Sequence, residues 1–353
     1  MVIRLFQPRQ PPERVADNKE GKDRMCPNIP ESWVRTIPAV DDSGEERAEL
    51  DRLFHGLRKL RASLQTSVPL SDRRAALDRW QPPVGTDVVV EPIDANGVRS
   101  ESISIDPDAT TDILYLHGGG YCYGGLANVR EFVARVARAS GARVLHPDYR
   151  LAPEHPFPAA LEDARAAYDY LVSDRGAQRV VVVGDSAGGG LALSLLLSLR
   201  NEGYHPMPAA YVGMSPWVDL AMTSRSYVER AQRDPVEDVE ILGWSVHAYC
   251  KAIGPDDPRV SPLYGDLAGL PPMLVLVGTE EVCFDDSIRL AEGASAAGVA
   301  VTLEIGTGMP HSYPRFALQL AAGQRAVERV GAYIRAAVAT DGHGAAAEPL
   351  NII

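Results

Sequence analysis

Short apolar runs alternate with longer helical segments over most of this chain of 353 residues. The runs DILYLH, VVVVG and MLVLVG have the length and the aliphatic content of buried strands. Segments such as LALSLLLSLR, which come between such runs, have the length and composition of buried helices. Because strands that alternate with helices through short links form a mostly parallel sheet covered on both faces, the pattern predicts an α/β fold.

Before the alternating region, the pattern predicts two amphipathic helices and a hairpin. Ser43 and Glu46 form a capping box ahead of leucines that fall on one helical face, and Ser71 begins a second helix that ends near Trp80. The apolar stripe of these helices must be buried, so we expect them to form a cap on a larger domain. The Asn-Gly dipeptide at residues 96–97, between VVVEPID and SESISID, is typical of a β-hairpin turn.

These patterns divide the chain into six segments. They are an irregular N-terminal arm (1–40), N-terminal cap helices (41–82), the first part of the core (83–214), a cap insertion (215–262), the second part of the core (263–340) and a tail (341–353). Aromatic residues and helix breakers interrupt the alternation in the insertion, which we expect to join the N-terminal helices above the strand ends. A final helix is predicted from about Phe316 to Ala339.

Composition and charge exclude several classes of function. The net charge of −12 argues against binding to nucleic acid or to an anionic membrane surface, since an acidic protein gains no counterion release there.

The N-terminal residues contain no apolar run that resembles the core of a signal peptide, and nowhere do eighteen apolar residues occur consecutively. We therefore expect a cytoplasmic protein without stable membrane insertion. Its four cysteines are widely scattered, which indicates neither a disulfide framework nor a zinc site.

The strongest chemical signal is a Gly-x-Ser-x-Gly sequence at residues 184–188, directly after the strand of four valines. Glycines on both sides allow a turn tight enough to hold Ser186 in a strained conformation, with its hydroxyl projecting from the end of the sheet. This arrangement is typical of a nucleophile elbow, although a structural glycine-rich turn that contains a serine would have the same sequence. The neighbouring Asp185 is expected to fix the turn by bonding to nearby backbone.

Two further loops carry residues that could act together with Ser186. After DILYLH comes His117 followed by three glycines, whose N–H groups can approach a ligand oxygen closely. After VTLEI comes His311, which could take the proton of the serine, whereas His117 is expected to be structural. Since these loops follow the carboxyl ends of strands in one parallel sheet, we expect them to converge. The strand MLVLVG, between the serine and the histidine, is followed by the acidic residues Glu280, Glu281, Asp285 and Asp286. The order Ser, acid, His is that of an α/β-hydrolase triad.

Several longer motifs resemble those of the hormone-sensitive-lipase-like family of α/β-hydrolase carboxylesterases, bacterial type. They lie in order between about residues 70 and 338, as HGGGYCYGG (117–125), DYRLAPEHPFPAAL (148–161), GDSAGGG (184–190), SPWVDL (215–220), DPRVSPLYGDLAGLPPMLVLVG (257–278) and the MPHS loop. The resemblance implies an α/β-hydrolase fold, with a mostly parallel central sheet flanked by helices and a helical cap. It also implies hydrolysis of small-molecule carboxylic esters without a metal or cofactor, and it places the oxyanion-hole donors on the N–H groups of Gly119, Gly120 and Ala187.

The acidic member of the triad departs from the family's pattern. Many relatives carry an aspartate about thirty residues before the histidine, and the residue thirty positions before His311 is Glu281. A glutamate can serve, because its role is to orient the imidazole and to stabilise the imidazolium. Asp285, one helical turn further on, is the alternative acid, and Asp286 comes third.

The sequence leaves the substrate and the assembly open. Tyr121, Tyr123, Trp217 and Tyr313 are candidates for lining the substrate pocket, although aromatic residues are more often plain core. An amidase or deacetylase would use the same triad, and a non-hydrolytic dehydratase or a binding protein could use the same fold. Because relatives often dimerise through the sheet edge and the last helices, the resemblance also suggests a homodimer.

Overall fold

A sheet of nine strands runs through the computed structural model, which describes residue 26, residues 28–38 and residues 44–339. The strands are β1 (Val34–Ile37), β2 (Val89–Ala95), β3 (Val98–Ser104), β4 (Asp112–Leu116), β5 (Arg143–Pro147), β6 (Val180–Asp185), β7 (Ala210–Met214), β8 (Met273–Gly278) and β9 (Val301–Gly306). The helices are α1 (Glu45–Ala62), α2 (Leu70–Asp78), α3 (Leu126–Ser140), α4 (Ala159–Asp169), α5 (Ala187–Asn201), α6 (Ser226–Glu229), α7 (Val239–Tyr249), α8 (Phe284–Ala296) and α9 (Ala321–Ala339). None of the helices in these described ranges is long and apolar enough to cross a membrane. The capping-box residue Ser43 and the tail lie outside the described residues.

The sheet is mostly parallel, as the alternating pattern predicts. Its strand order is β1-β9-β8-β7-β6-β4-β5-β3-β2, and the antiparallel pairs are β2 with β3 and β3 with β5. The hairpin between β2 and β3 turns at Asn96 and Gly97, which both have positive φ angles (54° and 88°), as a two-residue hairpin turn requires. The central strand β6, which ends at the serine elbow, lies between β4 and β7.

Helices cover both faces of the sheet, and the valines of β6 show how the core is divided. Val181 and Val183 belong to the apolar cluster formed with α3 and α9, whereas Val180 and Val182 belong to the cluster formed with α4, α5 and α8. Successive side chains of a strand point to opposite faces of the sheet. Because helices cover both faces, all four valines are buried. This is why β6 is an unbroken apolar run rather than an alternation of apolar and polar residues.

The cap combines α1 and α2 with the insertion between β7 and β8, which contains α6 and α7. Near the end of α1, Arg61 Nη1 donates hydrogen bonds to the backbone oxygens of Asp234 (2.6 Å) and Glu237 (3.1 Å) in the insertion. Arg74 of α2 donates from Nε to the backbone oxygen of Cys122 (2.9 Å), beside the glycine loop. Both parts of the cap and the loops at the strand ends therefore line one common cavity.

The structure differs from the predicted pattern near both ends of the chain. Residues 34–37, expected to belong to an irregular arm, form β1, which pairs in parallel with β9. A strand of four residues is too short to show a clear periodicity. It is stabilised by pairing with β9 near the other end of the sequence, which no local pattern indicates. The last helix begins at Ala321 rather than near Phe316, since a 3₁₀ turn over Tyr313–Phe316 comes first.

Candidate active site

Ser186 occupies a strained turn between β6 and α5. Its backbone angles are φ 52° and ψ −125°, a conformation that L-residues rarely adopt and that directs the side chain away from the end of the strand. The turn also requires Gly188, because a Cβ at that position would collide with the backbone oxygens of Leu116 and His117 at the end of β4. The sequence thus has glycine where the elbow packs directly against the neighbouring loop.

Asp185 fixes the elbow against the glycine loop, as expected from the sequence. Its carboxylate is buried and accepts hydrogen bonds from the Gly118 N–H (2.9 Å) and the Tyr115 hydroxyl (2.5 Å). Arg315, which follows the His311 loop, forms an ion pair with the same carboxylate at 3.1 Å. One buried acid therefore ties the serine turn to both of the other loops.

The glycine loop lines the same cavity as the serine. Gly119 has a φ of 120°, and a side chain there would collide with the backbone of Tyr123, so only glycine fits. The N–H groups of Gly119, Gly120 and Ala187 donate to no other group within the part of the chain that the structure describes. Gly119, Gly120 and Ser186 also line the common cavity. Such unpaired donors beside a nucleophile can stabilise an oxygen that gains negative charge.

His311 and Glu281 are directly bonded. His311 Nδ1 lies 2.6 Å from Glu281 Oε2, and both side chains are buried. The other oxygen of Glu281 accepts hydrogen bonds from the Gly278 N–H (2.6 Å) and from the Ser215 hydroxyl (2.7 Å). Ser215 Oγ in turn accepts a hydrogen bond from the Ser312 N–H at 2.8 Å. The carboxylate and the histidine loop are therefore held by one shared hydroxyl.

The two alternative acids hold the cap instead. Asp285 Oδ2 accepts a hydrogen bond from the Ser226 N–H (3.0 Å), at the start of α6. Asp286 is fully buried and accepts from the N–H groups of Val218 and Asp219 and from the Tyr227 hydroxyl. Of the three candidate acids, the structure brings Glu281 to His311.

His311 has more negative charge around it than Glu281 alone supplies. Glu237 Oε1 lies 3.5 Å from His311 Nε2, and Asp234 is buried nearby with its Oδ2 on the Val282 N–H (2.9 Å). Burial by itself lowers the pKa of His311. The negative charges of Glu281, Glu237 and Asp234 outweigh this effect and raise the pKa to about 10. Burial also raises the pKa of Asp234, to about 7, and that of Glu237. Nε2 is buried and makes no hydrogen bond to any residue that the structure describes.

The cavity beside Ser186 has a volume of about 800 Å³. Its apolar wall includes Leu53, Leu57 and Leu60, which are spaced along one face of α1, and Leu64, which follows the helix. Tyr123 is one of the lining residues. Tyr121, Trp217 and Tyr313, predicted as candidates for the same lining, are instead buried in the core, where Tyr121 stacks on Tyr249 with ring centroids 3.9 Å apart. Sequence alone does not say which face of a loop an aromatic side chain occupies, and here three of the four face inward.

His117 is structural, as the sequence predicts. Its Nδ1 bonds to the backbone oxygen of Gly118 (2.7 Å), and its ring stacks on Tyr149 at 4.2 Å. Complete burial lowers the pKa of His117, which favours the neutral ring. Within the described residues, no cluster of three or more His, Cys, Asp or Glu side chains could hold a metal ion.

Sequence reasoning missed Ser215, Asp234 and Glu237. Ser215 begins the SPWVDL motif, which contributes to the resemblance but does not indicate a hydrogen bond to Glu281. Asp234 and Glu237 lie in the cap insertion, where no periodicity shows which side chains point toward the cavity. Only the packing of the cap on the core brings them to His311.

Comparison with known proteins places this fold among esterases. Residues 113–315 match a family described as "alpha/beta hydrolase fold". The chain is 42% identical over 274 residues to an "Acetyl-hydrolase" of Streptomyces hygroscopicus, with 75% of this chain and 89% of that protein covered. It is 39% identical over 236 residues to an "Esterase" of Acinetobacter venetianus, covering 66% and 78% of the two chains.

Solved structures agree with these sequence matches. An esterase from the bacterial hormone-sensitive lipase (HSL) family superposes with a TM-score of 0.78 at 41% identity, covering 82% of this chain and 97% of that one. The esterase EstE5, soaked with p-nitrophenyl butyrate, superposes with a TM-score of 0.78 at 40% identity, covering 83% and 99%. With its mostly parallel sheet, serine elbow and glycine loop, the chain belongs to the bacterial hormone-sensitive-lipase-like family of α/β-hydrolase carboxylesterases.

Proposed function

We propose that the chain is a serine esterase that hydrolyses carboxylic esters through an acyl-enzyme intermediate. The observation that carries the proposal is the convergence on one cavity of Ser186 in its strained elbow and His311 held by Glu281. Relatives named acetyl-hydrolase and esterase support the same reaction class. The reaction needs a nucleophile, a base and a site for the oxyanion, and the proposal assigns each to residues of this chain.

In the first half of the reaction, His311 Nε2 accepts the proton of Ser186 Oγ as that oxygen attacks the ester carbonyl carbon. The carbonyl oxygen becomes negatively charged and accepts hydrogen bonds from the N–H groups of Gly119, Gly120 and Ala187. The bond to the leaving alcohol oxygen then breaks. His311 gives its proton to that oxygen, the alcohol departs, and the acyl group remains on Ser186.

In the second half, water takes the place of the alcohol. His311 removes a proton from the water, whose oxygen attacks the acyl carbon, and the same three N–H groups stabilise the oxyanion. Return of the proton to Ser186 Oγ releases the carboxylic acid. Throughout both halves Glu281 keeps the Nδ1–H of His311 pointing at its own carboxylate, so that Nε2 faces the reacting atoms.

The test is an ester panel of increasing acyl length with the wild type and three variants. Ser186→Ala is expected to lose activity by several orders of magnitude, and Glu281→Gln by about 10⁴, as in a comparable triad. Asp285→Asn is the matched control, because its carboxylate contacts the cap and not the histidine. Retention of full activity by Ser186→Ala, or a larger loss for Asp285→Asn than for Glu281→Gln, would refute the assignment. Fluorophosphonate labelling of Ser186 gives an independent readout of the nucleophile.

A further inference from the structure

The cap brings a second carboxylate to the proposed general base. Glu237 Oε1 lies 3.5 Å from His311 Nε2, while Glu281 Oε2 lies 2.6 Å from Nδ1. Each ring nitrogen of His311 therefore lies near a carboxylate oxygen, Nδ1 near that of Glu281 and Nε2 near that of Glu237. The esterase mechanism uses the Glu281 contact and assigns nothing to Glu237, although Glu237 lines the same cavity as Ser186.

The protonation of Nε2 follows from this geometry. A neutral imidazole with its proton on Nδ1 would have the unprotonated Nε2 3.5 Å from a carboxylate oxygen, and two electron-rich atoms at that distance repel each other. A proton on Nε2 converts this repulsion into attraction between an imidazolium and a carboxylate. Nε2 is buried and makes no hydrogen bond to Ser186 or to any other residue that the structure describes, so Glu237 is its nearest charged neighbour.

The other charged groups around the ring reinforce this effect. On the negative side, Glu281 comes from the loop after β8, and Asp234 and Glu237 come from the cap insertion. The arginines of the site contact other groups: Arg61 of α1 donates to the backbone oxygens of Asp234 and Glu237, and Arg230 of the insertion donates to that of Thr279. Arg315, which lines the same cavity, pairs with the Asp185 carboxylate. The balance favours the protonated ring, and the pKa of His311 is accordingly raised to about 10 in spite of its burial.

We propose that Glu237 is a positioning residue. In the resting enzyme its carboxylate keeps a proton on His311 Nε2 until that proton is released to solvent. The step is a simple dissociation, in which the imidazolium beside the Glu237 carboxylate becomes a neutral imidazole and one proton enters water. Nε2 then has a free lone pair and can accept the proton of Ser186. The inference rests on the proposed esterase function. It makes the protonation of His311 depend on the position of the cap, because Arg61 of α1 donates a hydrogen bond to the backbone oxygen of Glu237.

The first test is the pH profile of kcat/KM with p-nitrophenyl butyrate. Removal of the Glu237 charge destabilises the imidazolium and lowers the pKa of His311, so the acid limb of Glu237→Gln is expected to move to lower pH. Two unit charges 3.5 Å apart interact strongly enough even in a water-like dielectric to shift the limb by about one pH unit or more. For each protein, kcat/KM at low pH is divided by its plateau value at high pH. At a pH well below both acid limbs, this fraction is expected to be about tenfold larger for Glu237→Gln than for wild type.

Two further variants control for charge and for folding. Glu240→Gln removes the same charge from an exposed residue three positions away, whose Oε1 accepts from Thr66 of the neighbouring cap segment, and its acid limb is expected to stay in place. Glu237→Asp retains the charge but shortens the side chain by one methylene, so its limb is expected between those of wild type and Glu237→Gln. A limb of Glu237→Gln that coincides with that of wild type would overturn the proposal.

The second test needs no activity. Titration of the His311 imidazole by NMR, with isotope-labelled histidine in the full chain, is expected to give a lower pKa for Glu237→Gln than for wild type. Equal pKa values in the two proteins would overturn the role of Glu237 even if esters are hydrolysed. Absence of any ester hydrolysis by wild type, together with a lowered pKa in Glu237→Gln, would instead refute the proposed function and leave the protonation of His311 as inferred.

Discussion

The hydroxyl of Ser215 offers the sharpest test of how the proposed triad is held in place, because its one oxygen atom makes hydrogen bonds to two partners. It donates to Glu281 Oε1 (2.7 Å) and accepts from the Ser312 N–H (2.8 Å), and all three residues are buried. Ser215→Ala removes a hydrogen bond to a charged group and leaves a buried N–H without its partner. Each loss destabilises a protein by roughly 1 to 3 kcal/mol, so we expect the free energy of unfolding to fall by about 3 kcal/mol.

The catalytic effect of Ser215→Ala is expected to be smaller than that of removing the acid. Glu281 still accepts from the Gly278 N–H at 2.6 Å, so the carboxylate stays near His311, but the histidine loop loses its anchor at Ser312. A displacement of this kind lowers the rate of a positioned reaction by about tenfold or more. The assays are urea unfolding and the kcat of a neutral ester.

Two comparison variants separate the hydroxyl from other effects of the substitution. Ser287→Ala removes the hydroxyl of another fully buried serine, which has no hydrogen-bond partner among the described residues, so its stability is expected to stay close to wild type. Ser215→Gly removes the same hydroxyl as Ser215→Ala but relieves the positive φ of 49°, so it is expected to be the more stable of the two. If Ser215→Ala matched the wild type in both unfolding free energy and kcat, the proposed anchoring would be wrong.

Three further predictions follow from the loops, the cavity and the thiols. Gly119→Ala forces a Cβ into the backbone of Tyr123 and displaces the N–H donors, so kcat is expected to fall by about 10² or more with little change in KM, as steady-state kinetics will show. Gly56 lines the cavity from α1, and a Cβ at that position would have no atom within 4 Å, so Gly56→Leu is expected to lower kcat/KM for octanoyl esters more than for acetyl esters. The same substitution replaces a helical glycine, so thermal unfolding is expected at a higher temperature. Cys122 and Cys283 are buried and their pKa values are raised by burial, so mass spectrometry of the native protein after iodoacetamide treatment is expected to find both unmodified.

The sequence predicts those parts of the site that depend on local order along the chain. The strand of four valines and the flanking glycines predict the elbow at Ser186, because both features act within a few residues. The family resemblance, in which the acid lies about thirty residues before the histidine, implies Glu281 as the acid, and the contact of 2.6 Å between the two side chains agrees with that choice. Asp285 lies only one helical turn away, yet it points to the cap, a difference that only the orientation of α8 determines.

What the sequence does not predict depends on contacts between distant segments. Glu237 reaches His311 only because the cap insertion folds back over the ends of β6 and β8, and no local pattern specifies that distance. The buried positions of Tyr121 and Trp217 have the same origin, since loop aromatics show no periodicity that separates a core face from a cavity face. Long-range packing therefore determines the charge around the base and the shape of the pocket.

The strand β1 changes what the edge of the sheet offers to another molecule. Without it, β9 would present an unpaired row of N–H and C=O groups, a ready template for strand addition and aggregation. The chain covers that row with its own residues 34–37, in register from Val34 opposite Leu303. At the opposite edge, β2 contains Pro92, which has no N–H to donate to an incoming strand. Each edge is thus short or interrupted, so an incoming strand finds few consecutive hydrogen-bonding groups at either end of the sheet.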